Sequence, residues 1–294
     1  TQAFLISQSD YIGGEGPTPF SNPATLCNAP SYGNTDSIYS LGLHPQILAA
    51  DGSSNTEVRN TTEPFTHLSI AAGVIALMLE KNPNLTRRDI LWILALSCTQ
   101  NDPLHPSWAN DGRILKHSPI YGFGRVNASE AVRLVSLWSS DCLEPLLRYE
   151  CSYENISINI PHARMGKLEL NFTVLRNKSH GCVENVIFRF NTSISDISMM
   201  RIILESPKRK KIELLKPDHA FASDKDENYY RNEYFQIIVR GFMSEQAGGI
   251  WKLTIIDSSF FKDIKLTYAS LVIEYMDSTP NMPMPVISSA RASE

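Results

Sequence analysis

Residues 71–89, with the sequence AAGVIALMLEKNPNLTRRD, predict two consecutive helices and decide the fold of the first part of the chain. An apolar run extends from 68 to 80, with small residues on one side, and a helix of this composition is expected to be buried nearly all round. The second helix is expected to start at Thr86, because its hydroxyl can accept hydrogen bonds from backbone N–H groups near Asp89.

Further helical and extended segments surround this stretch. A third helix is predicted from about Ser129 to Trp138, since apolar residues recur there at helical spacing. Residues 1–60 are weakly patterned, with short strand candidates at 4–6 and 37–41. Residues 1–140 thus contain helix candidates together with short strand candidates.

The sequence changes character after Trp138. Apolar and polar residues alternate in seven segments separated by turn residues: Leu168–Leu175, Val183–Phe190, Met199–Leu204, Lys211–Leu215, Tyr234–Val239, Trp251–Ile256 and Ala269–Tyr275. Several short strands with polar turns indicate an all-β sandwich or jelly roll over residues 150–276. Residues 277–294 are rich in Pro, Ser and Met and are predicted to form a flexible tail.

The composition excludes several functional classes. A net charge of −4 over 294 residues gives no reason to expect nucleic acid or an anionic membrane as partner. No run approaches the 18 or more apolar residues of a membrane span. The N-terminus lacks a basic segment and a small-residue cleavage site, so it is not a signal peptide, and we expect the chain to start inside a domain.

Seven Asn-x-Ser/Thr sequons bear on the compartment: Asn60, Asn84, Asn127, Asn155, Asn171, Asn177 and Asn191. Four of them fall between 155 and 191, and we take Asn60, Asn155, Asn171, Asn177 and Asn191 as candidate glycosylation sites. The alternative is chance in a chain rich in Asn and Ser. We expect a secretory-pathway or extracellular glycoprotein, because sequons and disulfides belong to the same compartment.

The order of three motifs resembles the kexin/furin-like proprotein convertases, a branch of the subtilisin superfamily. The motifs are AAGVIAL at 71–77, NLTRRD at 84–89 and YGFGRVNA at 121–128. The stretches MRIILESP at 200–207 and GGIWKLTIID at 248–257 resemble the P domain, or Homo B domain, of that family. The resemblance implies part of a subtilisin-like α/β domain followed by a P-domain jelly roll. Its active members are calcium-dependent serine endopeptidases that cleave precursors at paired basic residues.

The expected nucleophile is missing from this chain. The family places its serine in a Gly-Thr-Ser turn before the Ala-Ala-Gly helix, and the ungapped position falls on Phe65. A phenyl ring cannot attack a carbonyl, so no catalytic residue is assigned. Ser69 with His67 as base is a displaced alternative, but a helix N-cap at Thr66 or Ser69 with a partly exposed His67 is favoured.

Other family positions are also altered or lie upstream of the chain. The family's catalytic Asp and His precede the region that this sequence covers. Asp10 falls near the position of the oxyanion-stabilising side chain, where a carboxylate would repel a developing negative charge. We favour a turn-capping role for Asp10.

The resemblance further implies a disulfide between Cys151 and Cys182, with two buried thiols as the alternative. It also implies calcium, although no ligands can be assigned. The acidic residues Asp218, Asp224 and Asp226 lack the regular spacing of an EF-hand loop.

These features lead to one main hypothesis and two alternatives. The main hypothesis is a non-catalytic convertase homologue, or pseudoenzyme, of the secretory pathway. The chain could instead be a fragment of an active convertase, or a secreted module whose β domain binds a protein partner or a glycan. The basic run at 208–211 is either a polyanion or cleavage site, or a solvated hairpin turn, and the turn is favoured.

Overall fold

The structure is a computed structural model, and it describes the separate stretches of the chain that are given in the next sentence. The described residues are 5–9, 25–30, 46–49, 57–60, 66–100, 103–108, 115–118, 121–139, 142–161, 167–174, 181–193, 200–215, 235–257 and 264–277, with side chains from residue 70 onward. The chain divides into two compact units, one containing Thr25–Leu143 and the other Glu144–Pro280.

Three helices and thirteen strands are described. The helices are α1 (Thr66–Lys81), α2 (Arg87–Ser97) and α3 (Ala128–Leu137). The strands of the first unit are β1 (Leu5–Ser9), β2 (Thr25–Pro30), β3 (Gln46–Ala49) and β4 (Glu57–Asn60). Those of the second unit are β5 (Leu147–Tyr153), β6 (Ile158–Ile160), β7 (Leu168–Val174), β8 (Cys182–Thr192), β9 (Met200–Glu205), β10 (Lys211–Leu215), β11 (Phe235–Val239), β12 (Gly249–Asp257) and β13 (Ile264–Met276).

The first unit combines these helices with two short sheets. β1 pairs in parallel with β2, and β3 pairs in antiparallel with β4. Parallel pairing is typical of α/β proteins, so the α/β character expected for this region is present. The strand predicted at 4–6 corresponds to β1, whereas the one predicted at 37–41 lies outside the described residues.

The three predicted helices are confirmed, and the start of α2 has the expected cap. The backbone N–H of Asp89 donates to Thr86 Oγ1 at 3.1 Å, and the backbone N–H of Thr86 donates to Asp89 Oδ2 at 2.7 Å. This reciprocal arrangement satisfies two N–H groups that a helix start otherwise leaves without acceptors.

The expectation that α1 is buried nearly all round is wrong. Ala71, Val74 and Met78 are buried, at a spacing that places them on one face of the helix. Leu77 is 48% exposed, and Gly73 has no neighbour within 4 Å of the position a Cβ would take. Apolar composition alone was misleading, because it does not show how many sides of a helix have neighbours.

The second unit is built from antiparallel strands in two sheets. One has the described order β10-β9-β12-β7, and the other has the order β11-β8-β13-β5, with β6 also pairing with β13. β13 is central to its sheet, since it pairs with β5, β6 and β8. All seven predicted strands are present, but β5 and β6 were not predicted.

A single hydrophobic core joins the two sheets of the second unit. Phe172 of β7 and Trp251 of β12 are fully buried with Phe188 of β8 and Leu271 of β13. The indole N–H of Trp251 donates to the carbonyl of Ala247 at 3.0 Å, which satisfies its polar group inside the core. Each such side chain stabilises the fold by about 1.5–3 kcal/mol through burial. The mostly β character expected for this region is therefore confirmed.

Candidate functional site

The start of α1 is the place where the resemblance puts the catalytic serine of the family, and this chain has Phe65 there. α1 begins at Thr66, so Phe65 directly precedes a helix of 16 residues. A helix N-terminus carries a partial positive charge and unsatisfied N–H groups, which suit a developing oxyanion. His67 and Ser69 both belong to the first turn of α1. Phe65, Asp10 and the side chains of His67 and Ser69 lie outside the described residues.

The α2–α3 pair behind α1 is held by a buried carboxylate. Asp89 Oδ1 accepts a hydrogen bond from Trp138 Nε1 at 2.9 Å, and its Oδ2 accepts from the Thr86 hydroxyl at 2.6 Å. Asp89 therefore caps α2 and fixes Trp138, the residue that follows α3. This role is structural, because both oxygens are used by groups of the same folding unit.

A serine and a histidine also approach each other in the segment before α3. His105 Nδ1 lies 2.8 Å from Ser107 Oγ, and the Ser107 oxygen lies 2.7 Å from Ser118 Oγ. His105 Nδ1 also accepts from the backbone N–H of Ser107 at 3.1 Å. A histidine that accepts from a backbone N–H two residues later stabilises a local turn, so this pair does not resemble an assembled triad.

Aromatic contacts in the same segment also indicate a structural role for His105. Tyr121 stacks on Trp108 with ring centroids 5.7 Å apart and meets the His105 ring edge-on at 5.7 Å. The backbone N–H of Tyr121 donates to Ser118 Oγ at 3.2 Å. These contacts pack His105 and Trp108 against Tyr121. Sequence reasoning did not identify this cluster, and its residue types carry no periodic signal.

The predicted pair Cys151 and Cys182 is not joined in the structure. Cys151 pairs with Leu271 on one side of β13, whereas Cys182 pairs with Met276 on the other side. The two partners are five residues apart on β13, a span of about 16 Å, and a disulfide needs Cα atoms within about 7 Å. Burial raises the pKa of the Cys151 thiol.

The candidate glycosylation sites differ in their surroundings. Asn155 and Asn171 are exposed, and Asn155 adopts a left-handed φ of 53°. Asn191 is half-buried, and its Oδ1 accepts from the N–H of Thr192 at 2.9 Å. Asn177 lies outside the described residues, as does the side chain of Asn60. Surface exposure thus favours Asn155 and Asn171 as attachment points.

The described residues show no cluster of acidic side chains that could hold calcium. No group of three or more His, Cys, Asp or Glu side chains comes together in that part of the chain. The acidic residues Asp218, Asp224 and Asp226 lie outside it. No calcium-dependent step can therefore be assigned to these side chains. Within the same ranges, no helix is long and apolar enough to cross a membrane.

Charged side chains are buried in the second unit, which the sequence reasoning missed. Arg240 is 1% exposed, Glu245 is 2% exposed and Asp257 is fully buried. Buried charges require partners or hydrogen bonds, so these residues constrain how the strands fit together. Glu184, which lies between Val183 and Asn185 at the start of β8, is also buried, but its sequence context indicated no chemistry.

Comparison with known proteins gives matches to both units. A family model described as the proprotein convertase P-domain matches residues 183–273. The PC3-like endoprotease variant B of Hydra vulgaris is 26% identical over 199 residues, which are 66% of this chain and 27% of that relative. A calcium-dependent protease of Trichormus variabilis is 45% identical over 64 residues, 22% of this chain and 9% of that relative. The chain thus spans only about a quarter of the curated relatives that match most of it.

A solved structure shares the fold. The serine protease of Aeromonas sobria, solved in complex with its chaperone, superposes with a TM-score of 0.68. The match covers 94% of this chain and 57% of that chain at 18% sequence identity. At this identity the likeness establishes the arrangement of the backbone only.

Proposed function

We propose that this chain, which is similar to the kexin- and furin-like proprotein convertases and matches the proprotein convertase P-domain model over residues 183–273, is a non-catalytic convertase homologue. Residues 1–140 then represent the C-terminal part of a subtilisin-like domain. Residues 150–276 represent a P domain with jelly-roll topology, and 277–294 a tail. We place the protein in the secretory pathway, with glycans on exposed sequons.

One observation carries the proposal. The residue directly before α1 is Phe65, where the related motif order calls for the nucleophilic serine. Acyl transfer needs a hydroxyl or thiol at this point, since the oxyanion donors are arranged around it. Pro64 precedes this position and has no backbone N–H to offer to an oxyanion.

A serine-directed fluorophosphonate probe tests the proposal on the secreted 294-residue protein. We expect no labelled peptide from residues 60–70, because Phe65 offers no nucleophile. The matched control is Ser69→Ala, which removes the remaining serine of that segment. Labelling that is present in the wild type and lost in Ser69→Ala would show a displaced nucleophile and overturn the proposal.

The alternative of an active convertase fragment makes a different prediction. A fragment would regain labelling when its upstream Asp- and His-bearing part is supplied, whereas a pseudoenzyme would not. Joining the chain to the upstream half of an active convertase, with Phe65→Ser as the positive control, separates the two. Labelling of the wild-type fusion favours the fragment, and labelling of Phe65→Ser alone favours the pseudoenzyme.

We propose calcium binding only by similarity, because one relative is named a calcium-dependent protease. Because the described residues form no cluster of ligands, calcium would have to bind elsewhere in the chain or not at all. Thermal unfolding with calcium and with a chelator measures this directly. A higher midpoint with calcium supports a site, and equal midpoints exclude one that stabilises the fold.

A further inference from the structure

The turn between β9 and β10 presents four consecutive basic residues, Lys208 to Lys211. The backbone N–H of Arg209 donates to the carbonyl of Ser206 at 2.8 Å, and the N–H of Ser206 donates to the carbonyl of Lys210 at 2.8 Å. Pro207 occupies the second position of this turn, where its fixed φ is favourable. The result is a closed three-residue hairpin loop.

Arg209 holds an unusual backbone conformation at this tip. Its φ is 63°, in the left-handed region, and this position of such a loop is ordinarily glycine. A side chain there is strained, and strained residues of this kind concentrate at sites that hold ligands. A glycine would form the same turn at lower cost, so the guanidinium itself is the feature that needs an explanation.

Two contacts hold the hairpin in place. Pro207 packs so closely on Gly249 that a Cβ added to Gly249 would lie 2.7 Å from the Cβ of Pro207. The ammonium group of Lys210 donates to the carbonyl of Gly241 at 2.7 Å. The tip therefore has a fixed position, and Lys210 serves as an anchor while its neighbours project into solvent.

Two exposed cations at the tip have no counter-ion in the part of the chain that the structure describes. Lys208 and Arg209 are exposed, and neither has an ion pair among the described residues. Elsewhere on this sheet the acidic groups are already used, since Glu213 pairs with Arg201 at 2.7 Å and Glu169 with Lys252 at 2.7 Å. Lys211 approaches Glu205 only at 3.6 Å and keeps 67% of its side chain exposed.

We propose that Lys208, Arg209 and Lys211 form a binding site for a sulfated polysaccharide of the heparan sulfate class. Exposed cations on an anchored turn suit a polymer that carries sulfate groups at short intervals, and a guanidinium can bind a sulfate through two parallel hydrogen bonds. A nearby positive potential also increases the association rate with anions. The site is independent of whether the first unit performs chemistry.

The geometry favours this ligand over a protease that cleaves at basic residues. A peptide enters a protease cleft in extended form, and the hydrogen bonds between Ser206, Arg209 and Lys210 keep this segment folded back on itself. Cleavage would require the hairpin to open and Pro207 to leave its contact with Gly249. A polysaccharide can bind the closed turn as it stands.

Heparin binding by the whole 294-residue chain tests the proposal. We compare the wild type with the double variant Lys208→Gln/Arg209→Gly, which removes two charges and leaves a residue suited to the turn. The matched control is Lys116→Gln/Lys265→Gln, which removes two exposed lysines remote in sequence from the hairpin. We expect the hairpin variant to lose about tenfold in affinity at ~0.15 M salt, and the control to lose less than about twofold.

Folding is monitored in the same samples. The hairpin variant should unfold at the wild-type temperature or above, because glycine relieves the strain at position 209. Lys208→Gln alone, which leaves the strained residue untouched, should lose several-fold in affinity. The proposal is overturned if the wild type does not bind heparin, or if the hairpin variants bind as well as the control.

Discussion

Asp89 accepts a hydrogen bond from the indole of Trp138 at 2.9 Å, although 49 residues separate them in the chain. The same carboxylate accepts from the backbone N–H and the hydroxyl of Thr86. One buried side chain therefore fixes the beginning of α2 and the residue that follows α3.

Asp89→Asn should loosen this arrangement. The amide can still accept from Trp138, but its NH₂ group cannot accept from the N–H of Thr86, so one donor is left unsatisfied at a cost of about 1–3 kcal/mol. Amide hydrogen exchange of residues 87–97 measures the local loss. Arg133→Gln, which removes a half-buried ion pair with Glu130 on α3, is the control and should leave exchange in α2 unchanged.

Glu150 should make the second unit sensitive to acid. The hydroxyl of Ser270 donates to Glu150 Oε1 at 2.7 Å and, with smaller effects of Arg148 and Arg189, holds the pKa of that carboxyl below its usual value. A lowered pKa in the folded state stabilises the protein above the unfolded value near 4.3, and this contribution is lost as the pH falls through the folded pKa.

Ser270→Ala removes the strongest of these contacts. We expect it to raise the pKa of Glu150 and to reduce the pH dependence of unfolding below about pH 4.5. The effect should not exceed about 1 kcal/mol, since Glu150 is 37% exposed and partly screened by solvent. Urea unfolding between pH 3 and 6 measures it, and equal pH slopes for both proteins would contradict the assignment.

Neighbouring residues of β12 should respond very differently to truncation. Trp251→Ala removes a fully buried side chain that meets Phe242 edge-on at 4.9 Å, and we expect a loss of about 3–5 kcal/mol. Ile250→Ala removes a side chain that is 59% exposed and should change stability by less than about 0.5 kcal/mol. Denaturant unfolding compares them, and similar losses would show that the strand faces are misassigned.

Arg209→Gly should stabilise the second unit by about 1 kcal/mol, because glycine adopts the left-handed conformation without strain. Asn155→Gly is the matched comparison, since Asn155 has a φ of 53° but asparagine tolerates this region well. We expect a change of only a few tenths of a kcal/mol there. Calorimetric unfolding of both variants measures the difference, and a destabilised Arg209→Gly would refute the strain.

The sequence predicted the helices and strands better than it predicted their burial and their packing partners. Thr86 and Asp89 predicted a capped helix, because the capping interaction involves residues that are close in sequence. The alternation of apolar and polar residues in 251–256 predicted a half-buried strand, because this pattern is also local. The strand β5 was not predicted, although its sequence LRYECSY alternates apolar or aromatic residues with polar ones, which is the pattern of a half-buried strand. Its partner β13 could not be identified from this local pattern.

Properties that depend on distant partners could not be read from the sequence. The predicted link between Cys151 and Cys182 failed because β13 separates the two strands that carry them. The burial of α1 was overestimated, since its composition says nothing about which faces meet other elements. The nucleophile position at Phe65 remains a prediction, as that residue lies outside the described part of the chain.

The central position of β13 has a consequence for biosynthesis. This strand is made after β5, β6 and β8, yet each of them completes its hydrogen-bond ladder only against it. While the ribosome is still translating residues before 264, these earlier strands expose unpaired edges and apolar side chains to solvent. Chaperones should therefore engage the nascent second unit until translation passes Met276. A premature stop codon upstream of Ile264 would release a product prone to aggregation.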